Sequence, residues 1–318
     1  MLAYITAPVQ PHHRAMLEQA ARGRCRIAYM EDGENCLETA EIIIGESRPQ
    51  DLLQAKNLQW FHLVWAGADR YKAHFFPEGA RFTNGSGAYG AYIAEHVIGC
   101  ILALYRQLRH YDQLQKAHIW DQNWQETTLE GKTVLVLGAG DLGSSLVKRL
   151  QGFDCRILGI SRSGKPVEGF HAMHTLADLD RLLPLADVVV GCLPSTAETA
   201  GLMNEQRLRS MKSKALLVNC GRGSFVVTKD LERVLQSGHL AGCALDVTDP
   251  EPLPADSLLW DMENVIITPH ISGISFGHLP EMEDRIYRLA AENLRRYLDG
   301  EALLNQVDFT TGYRRREP

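Results

Sequence analysis

An apolar run, Thr133-Val134-Leu135-Val136-Leu137, ends in Gly138-Ala139-Gly140-Asp141-Leu142-Gly143 and passes directly into a helical pattern. Each glycine of this GxGxxG spacing answers a different steric demand. Gly138 permits the tight turn, Gly140 lets a pyrophosphate approach the backbone, and Gly143 lets the helix pack closely. The start of that helix, at Asp141 and Leu142, offers unpaired N–H groups and the positive end of its dipole to phosphates. Glycine-rich turns are common, but this one lies between a strand and a helix, the context that gives the motif weight as a dinucleotide site.

The turn opens a regular series. Six strand-like runs are expected at residues 133–138, 156–161, 187–193, 215–220, 242–247 and 265–270, with helical segments in most of the gaps. That alternation predicts a parallel sheet covered by helices on both faces. Six strands fit two mononucleotide-binding halves. Thr228 and Gly238 are placed to cap the two ends of the helix after the fourth run. Before this region, residues 2–6, 26–29, 41–44 and 58–64 read as strands and 15–22 as a helix. Continuous β-branched runs such as Ile42-Ile43-Ile44 suggest a second buried parallel sheet. One long helix is expected over 91–116, because Val97, Ile101, Leu104 and Leu108 recur at helical spacing. A last helix is expected over 281–299. The small-residue segments 85–90 and 273–277 are candidate hinges.

The second run after the turn ends Ile160-Ser161-Arg162-Ser163, with Lys165 close by. An acid near this point accepts hydrogen bonds from the adenosine ribose in NAD-binding proteins. Here Ser161 stands there instead. Arg162 can grip a 2′-phosphate bidentately, and Ser161 and Ser163 can add hydroxyl donors, which predicts NADP, with NAD possible.

Three later runs end in ionic groups: Arg222 after the fourth, Glu251 after the fifth and His270 after the sixth. The carboxyl ends of the strands face the ligand crevice in such a sheet, so these three can converge. A 2-oxo acid requires this combination. Its carboxylate suits a planar guanidinium, and its ketone oxygen gains charge as a hydride arrives, which a cation stabilises and a protonated imidazole quenches. A carboxylate beside the imidazole favours the charged form and fixes the ring.

Composition narrows the alternatives. The 318 residues, at ~150 per domain, predict two domains. A net charge of -6 gives no basic footprint for nucleic acid, and Arg314-Arg315-Arg316 reads as a solvated tail. The seven cysteines are scattered and odd in number, with no CxxC pair, so neither a disulfide framework nor a metal site is expected. With no apolar stretch resembling a signal or a membrane span, a cytoplasmic protein is expected, with no membrane partner.

The segments VLGAGDLGSSLVKRL, LLVNCGRGSFV, GCALDVTDPEPLP and NVIITPHISG resemble the D-isomer-specific 2-hydroxyacid dehydrogenase family, and the similarity extends over almost the whole chain. The resemblance implies two Rossmann-like, doubly wound α/β domains with an active-site cleft between them. The substrate domain would be residues 1–88 with 278–318, and the dinucleotide-binding domain 89–277. It implies Arg222 as substrate anchor, His270 as acid/base and Glu251 as its partner. It places Asp246 near the nicotinamide carboxamide, Leu193 and Pro194 beside the adenosine, and Thr199 and Cys220 among the coenzyme contacts. The loop Trp65-Ala66-Gly67-Ala68 would hold the substrate carboxylate through backbone N–H groups. Members are commonly homodimers, and Trp120 and Trp124 are candidates for such an interface. The Ser161-Arg162 pair and the chain length are most similar to glyoxylate/hydroxypyruvate reductases, reducing a small 2-oxo acid to a D-2-hydroxy acid with NADPH. Feedback control of the long phosphoglycerate-dehydrogenase kind is not expected, since no regulatory domain is read after the last helix. Three other readings stay open: an NAD-dependent D-2-hydroxyacid or phosphoglycerate-type dehydrogenase, a formate dehydrogenase, against which Glu251 speaks, and a dinucleotide-sensing corepressor.

Overall fold

The computed structural model describes residues 1–122 and 125–309, and the backbone of 313–314. The chain divides into two compact units, Met1–Tyr89 with Ile274–Pro318, and Gly90–Gly273. Helices in chain order are α1 (Pro11–Ala21), α2 (Gly90–Tyr105), α3 (Leu108–Lys116), α4 (Asp141–Leu150), α5 (Leu179–Leu182), α6 (Glu205–Ser210), α7 (Thr228–Gln236) and α8 (Pro280–Asp299).

The first unit holds a parallel sheet of β1 (Leu2–Ile5), β2 (Arg26–Tyr29), β3 (Ile42–Gly45), β4 (Trp60–Leu63) and β5 (Arg81–Asn84), in the order β2-β1-β3-β4-β5. Successive side chains point to opposite faces. Ala3, Ile5, Ile42, Ile44 and Trp60 therefore pack under α1 and α8, while Tyr4, Ile43, Phe61, Leu63 and Phe82 build the other side. Strands β1, β3 and β4 are buried on both faces, which is why they read as largely continuous apolar runs. Helix α8 comes from the far end of the chain and buries Met282, Ile286, Tyr287, Ala290 and Leu294, one stripe at helical spacing. Pro280 opens it, and Gly300 at φ 74° closes it. A short antiparallel pair, β13 (Val307–Asp308) with β14 (Tyr313–Arg314), follows.

The second unit holds seven parallel strands: β6 (Thr133–Leu137), β7 (Arg156–Ile160), β8 (Ala172–His174), β9 (Val188–Gly191), β10 (Leu216–Asn219), β11 (Gly242–Leu245) and β12 (Val265–Ile267). Their order is β12-β11-β10-β9-β6-β7-β8, doubly wound about β6. Val134, Val136, Ile157, Val188 and Val190 pack with α2 and α4, and Leu135, Leu158, Val189 and Leu217 with α5, α6 and α7. Each aliphatic side chain so buried contributes about 1.5–3 kcal/mol.

Three expectations require correction. The sheet has seven strands, not six, because β8 completes the first half; its three residues are half-buried at a sheet edge and carry no β-branched side chain. The residues that follow the fourth, fifth and sixth expected runs therefore follow β10, β11 and β12. The long helix is two, broken at Gln107, which adopts φ 50°. Its apolar spacing stops serving a core after Tyr105: Leu108 is 55% exposed, and α3 buries nothing. The Tyr105 carbonyl instead accepts from the Thr127 N–H at 3.0 Å. Thr228 is the first residue of α7 rather than its cap, and its hydroxyl donates to the Asp249 carbonyl at 2.9 Å. Gly238 does end that helix, at φ 70°. Trp124, Arg315 and Arg316 lie outside the described residues, as does the side chain of Arg314.

Candidate active site

The glycine turn sits at the carboxyl end of β6. The Gly138 N–H donates to the Ile160 carbonyl at 2.9 Å, so the end of β7, and Ser161 after it, lies beside the turn. Gly138 adopts φ 111°, and a Cβ there would lie 2.8 Å from the Cys192 carbonyl oxygen. At Gly143 a Cβ would fall 1.9 Å from the Gly138 oxygen. Gly140 differs: a Cβ there would meet nothing within 4 Å, so its missing side chain leaves open space at the start of α4. A backbone left open at a helix N-terminus, with Asp141 and Leu142 in its first turn, fits the pyrophosphate of a dinucleotide. The hydroxyl of Ser161 accepts from the Gly164 N–H at 3.1 Å and shapes the turn that presents exposed Arg162 and Ser163.

Leu193 and Pro194 follow β9 after Cys192 and are half-buried. Thr199 is buried. Its hydroxyl donates to the Pro194 carbonyl at 2.6 Å and accepts from the Thr196 N–H at 2.9 Å, which braces the 194–199 loop. Cys220 is buried, with its thiol donating to the Gly191 carbonyl at 3.4 Å.

Arg222, Glu251 and His270 are carried on loops after three adjacent strands, β10, β11 and β12. The Asn219 amide donates to the Arg222 carbonyl at 2.9 Å and fixes that loop. Arg222 is half-buried, and its guanidinium donates to the Gly221 carbonyl at 2.8 Å. The next residue must be glycine, since a Cβ on Gly223 would lie 1.8 Å from the Thr248 oxygen; the Arg222 loop rests directly on the loop that carries Glu251. Glu251 accepts from the Thr248 N–H at 3.0 Å and from His270 Nδ1 at 3.1 Å. That bond puts a proton on Nδ1 and leaves Nε2 as the nitrogen for chemistry.

His270 adopts φ 54°, a left-handed conformation that costs a non-glycine residue about 1–2 kcal/mol. Its surroundings impose it. The His270 N–H donates to the Asp246 carbonyl at 2.8 Å. The Asp246 carboxylate, 4% exposed, accepts from Thr268 Oγ1 at 2.7 Å, the Ile271 N–H at 2.9 Å, and both the N–H and the hydroxyl of Ser272. Asp246 thus clamps residues 268–272 around the imidazole. His96 Nε2 lies 3.2 Å from Thr268 Oγ1 and supports the same clamp. Asn219, Thr268, Ser272 and His96 escaped the sequence reading; the pattern Asp-(x)21-Thr-x-His is the one trace they leave.

In the first unit, three carbonyls of the 65–68 loop are tied down, those of Trp65, Ala66 and Ala68. Trp65 accepts from the Gly85 N–H at 2.9 Å and Ala66 from the Asn84 amide at 2.7 Å, while the Tyr89 hydroxyl donates to Val64 at 2.8 Å. Trp65 packs edge-on against Phe276 with centroids 5.4 Å apart. Gly67 is half-buried and Ala68 buried beneath it.

Elsewhere in that unit His12, His13 and Asp284 form the cluster of potential metal ligands found among the described residues. His13 Nδ1 accepts from the Gln10 N–H at 3.3 Å, so Nε2 holds the proton and donates to Asp284 at 2.9 Å, a tie between α1 and α8 rather than a ligand arrangement. Among the described residues no helix is long and apolar enough to cross a membrane.

Residues 98–272 match the model of the D-isomer specific 2-hydroxyacid dehydrogenase NAD binding domain. A glyoxylate reductase of Thermofilum pendens is 37% identical over 72% of this chain and 69% of its own. A D-isomer specific 2-hydroxyacid dehydrogenase family protein from Aeromonas salmonicida superposes with a TM-score of 0.85 at 34% identity, over 97% of this chain and 99% of that one. A D-isomer specific 2-hydroxyacid dehydrogenase from Xanthobacter autotrophicus, solved in complex with NADPH, gives 0.81 at 31% identity over 98% and 99%. With the nucleotide turn, the doubly wound sheet and these likenesses agreeing, the chain belongs to the D-isomer-specific 2-hydroxyacid dehydrogenase family.

Proposed function

We propose that this chain is an NADPH-dependent reductase of small 2-oxo acids of the glyoxylate and hydroxypyruvate kind, forming D-2-hydroxy acids. The observation that carries the reading is the imidazole of His270, oriented by Glu251 at 3.1 Å and locked by the Asp246 clamp, on a loop two strands from that of Arg222. NADPH supplies the hydride when bound. Arg222 binds the substrate carboxylate and steadies charge growing on the ketone oxygen. His270 Nε2 delivers the proton to that oxygen, and Glu251 stabilises the imidazolium before transfer. The backbone N–H groups of 66–68 are the part of their loop that a carboxylate can use, the Ala66 and Ala68 carbonyls being engaged elsewhere.

The preference for NADPH is supported by Arg162 beside the turn, where a carboxylate would repel a 2′-phosphate, and by the NADPH-bound Xanthobacter relative. A homodimer is supported by the exposed apolar stretch beyond α2, where Leu108, Ile119 and Trp120 are 55%, 53% and 95% exposed. Light scattering of the purified protein reads the mass of the assembly.

The test is a panel of 2-oxo acids assayed in parallel with NADPH and NADH. Turnover with glyoxylate or hydroxypyruvate and a preference for NADPH supports the reading. Coenzyme binding without turnover of any acid in the panel refutes it and favours a dinucleotide sensor.

A further inference from the structure

Cys192 and Cys220 stand 28 residues apart, yet the parallel register of β9 and β10 sets them side by side, just past the Gly191–Asn219 pair. Their sulfurs are 3.9 Å apart. Neighbouring strands run about 4.8 Å apart, and a disulfide spans Cα separations of ~4.4–6.8 Å, so side-chain rotation alone can close this pair. The two thiols differ in surroundings. Cys220 is buried and donates to the Gly191 carbonyl, and its neighbour Cys192 together with burial pushes it well above the ordinary thiol range. Cys192 is half-buried and open to small reagents.

The backbone around Cys192 is wedged between two parts of the nucleotide site. On one side its carbonyl presses on Gly138, where a Cβ would come within 2.8 Å. On the other, a Cβ on Gly221 would fall 2.4 Å from the Leu193 oxygen. A displacement at Cys192 is therefore passed to the glycine turn and to the residue preceding Arg222.

We propose that Cys192 and Cys220 are a redox-active thiol pair in the floor of the coenzyme site, oxidised by peroxide to an intramolecular disulfide that weakens NADPH binding. The coenzyme part of this rests on the function proposed above. The Cys192 sulfur attacks a peroxide oxygen; an S–O bond forms, the O–O bond breaks, and the departing hydroxide leaves as water. The Cys220 sulfur then attacks the sulfenic sulfur, forming S–S, while S–O breaks and a second water leaves. The pair gives up two electrons, and one peroxide becomes two waters. Bound coenzyme lies over the turn against which Cys192 packs, so it shields that sulfur.

The experiment treats the reduced protein with hydrogen peroxide, with and without saturating NADP+, and maps peptides without reduction. The expected result is a linked peptide joining 192 to 220, loss of two of the seven free thiols, recovery with dithiothreitol, and slower linkage when NADP+ is present. NADPH titration of the oxidised protein should show affinity weakened about tenfold, and Cys192→Ser should form no link and keep its affinity through peroxide treatment. Sulfinic acid at Cys192 without linkage, or linkage that leaves NADPH affinity unchanged, overturns the proposal. Failure of the reduced protein to bind NADPH would instead overturn the proposed function, while the linked peptide still reports the thiol pair.

Discussion

Replacing Asp246 with asparagine removes one carboxylate oxygen and puts an N–H2 group in its place. In the native clamp one oxygen accepts from the Thr268 hydroxyl and the Ile271 N–H, and the other from the Ser272 hydroxyl; the Ser272 N–H is shared, 3.2 Å from each. The amide oxygen can keep the first two bonds. The Ser272 donors then face an N–H2 group, and Ser272 is only 7% exposed, so water cannot easily replace what is lost. Hydrogen bonds to charged groups contribute about 1.5–3 kcal/mol each, which puts the loss near 2–4 kcal/mol. At roughly 2–4 °C per kcal/mol for a unit of this size, the melting temperature should fall by about 4–16 °C. The functional consequence falls on His270, whose left-handed backbone is held by the same segment. Misplacement of a reacting group by about 1 Å can cost ~100-fold, so kcat for glyoxylate should drop 10- to 100-fold with the KM for NADPH nearly unchanged. The assay is NADPH oxidation followed by absorbance, with calorimetry on the same preparation. Wild-type kcat and melting temperature, or a loss confined to the KM for NADPH, would refute the clamp and favour a direct carboxamide contact.

Three other perturbations separate neighbouring roles. Gly143→Ala puts a Cβ 1.9 Å from the Gly138 oxygen and should lower both the melting temperature and NADPH affinity, whereas Gly140→Ala meets no protein atom within 4 Å and should abolish NADPH binding at unchanged apo stability; calorimetry beside fluorescence titration distinguishes them. Arg162→Ala should weaken NADPH binding at least tenfold and NADH binding little, and equal weakening of both counts against a 2′-phosphate contact. Burial alone pushes His62 down to about 3, below its unfolded value near 6.5. The native state then binds fewer protons than the unfolded chain over that window, so this histidine's stabilising contribution is whole above pH 6.5 and is lost as pH falls, by at most about 1.4 kcal/mol per pH unit. His62→Gln should flatten the acid limb of a stability–pH curve measured by denaturant unfolding.

Much of this arrangement was legible in the chain because it rests on local steric demands. The strand–glycine–helix turn and the ionic residues after successive β runs are written in consecutive residues. What escaped depends on sheet position or long-range contact. Strand β8 is a half-buried edge of Ala172-Met173-His174, and β5 reads Arg81-Phe82-Thr83-Asn84, where Thr83 accepts from Trp60 across the sheet rather than following an apolar pattern. The break at Gln107 comes where burial stops, after Tyr105, which helical periodicity does not encode. The role of Asp246 arises from donors 22 to 26 residues away. Cys192 and Cys220 look scattered until parallel pairing places them side by side.

The claim that His270 and Arg222 act together on a 2-oxo acid is tested most directly by following one isotope. Hydroxypyruvate should be reduced with NADPH deuterated at the transferable position of its nicotinamide, and the product resolved by chirality and mass. The account predicts D-glycerate carrying one deuterium at C2, with the rate collapsing in His270→Ala while coenzyme binding persists. Product of the L configuration, deuterium absent from C2, or wild-type turnover in His270→Ala would contradict it.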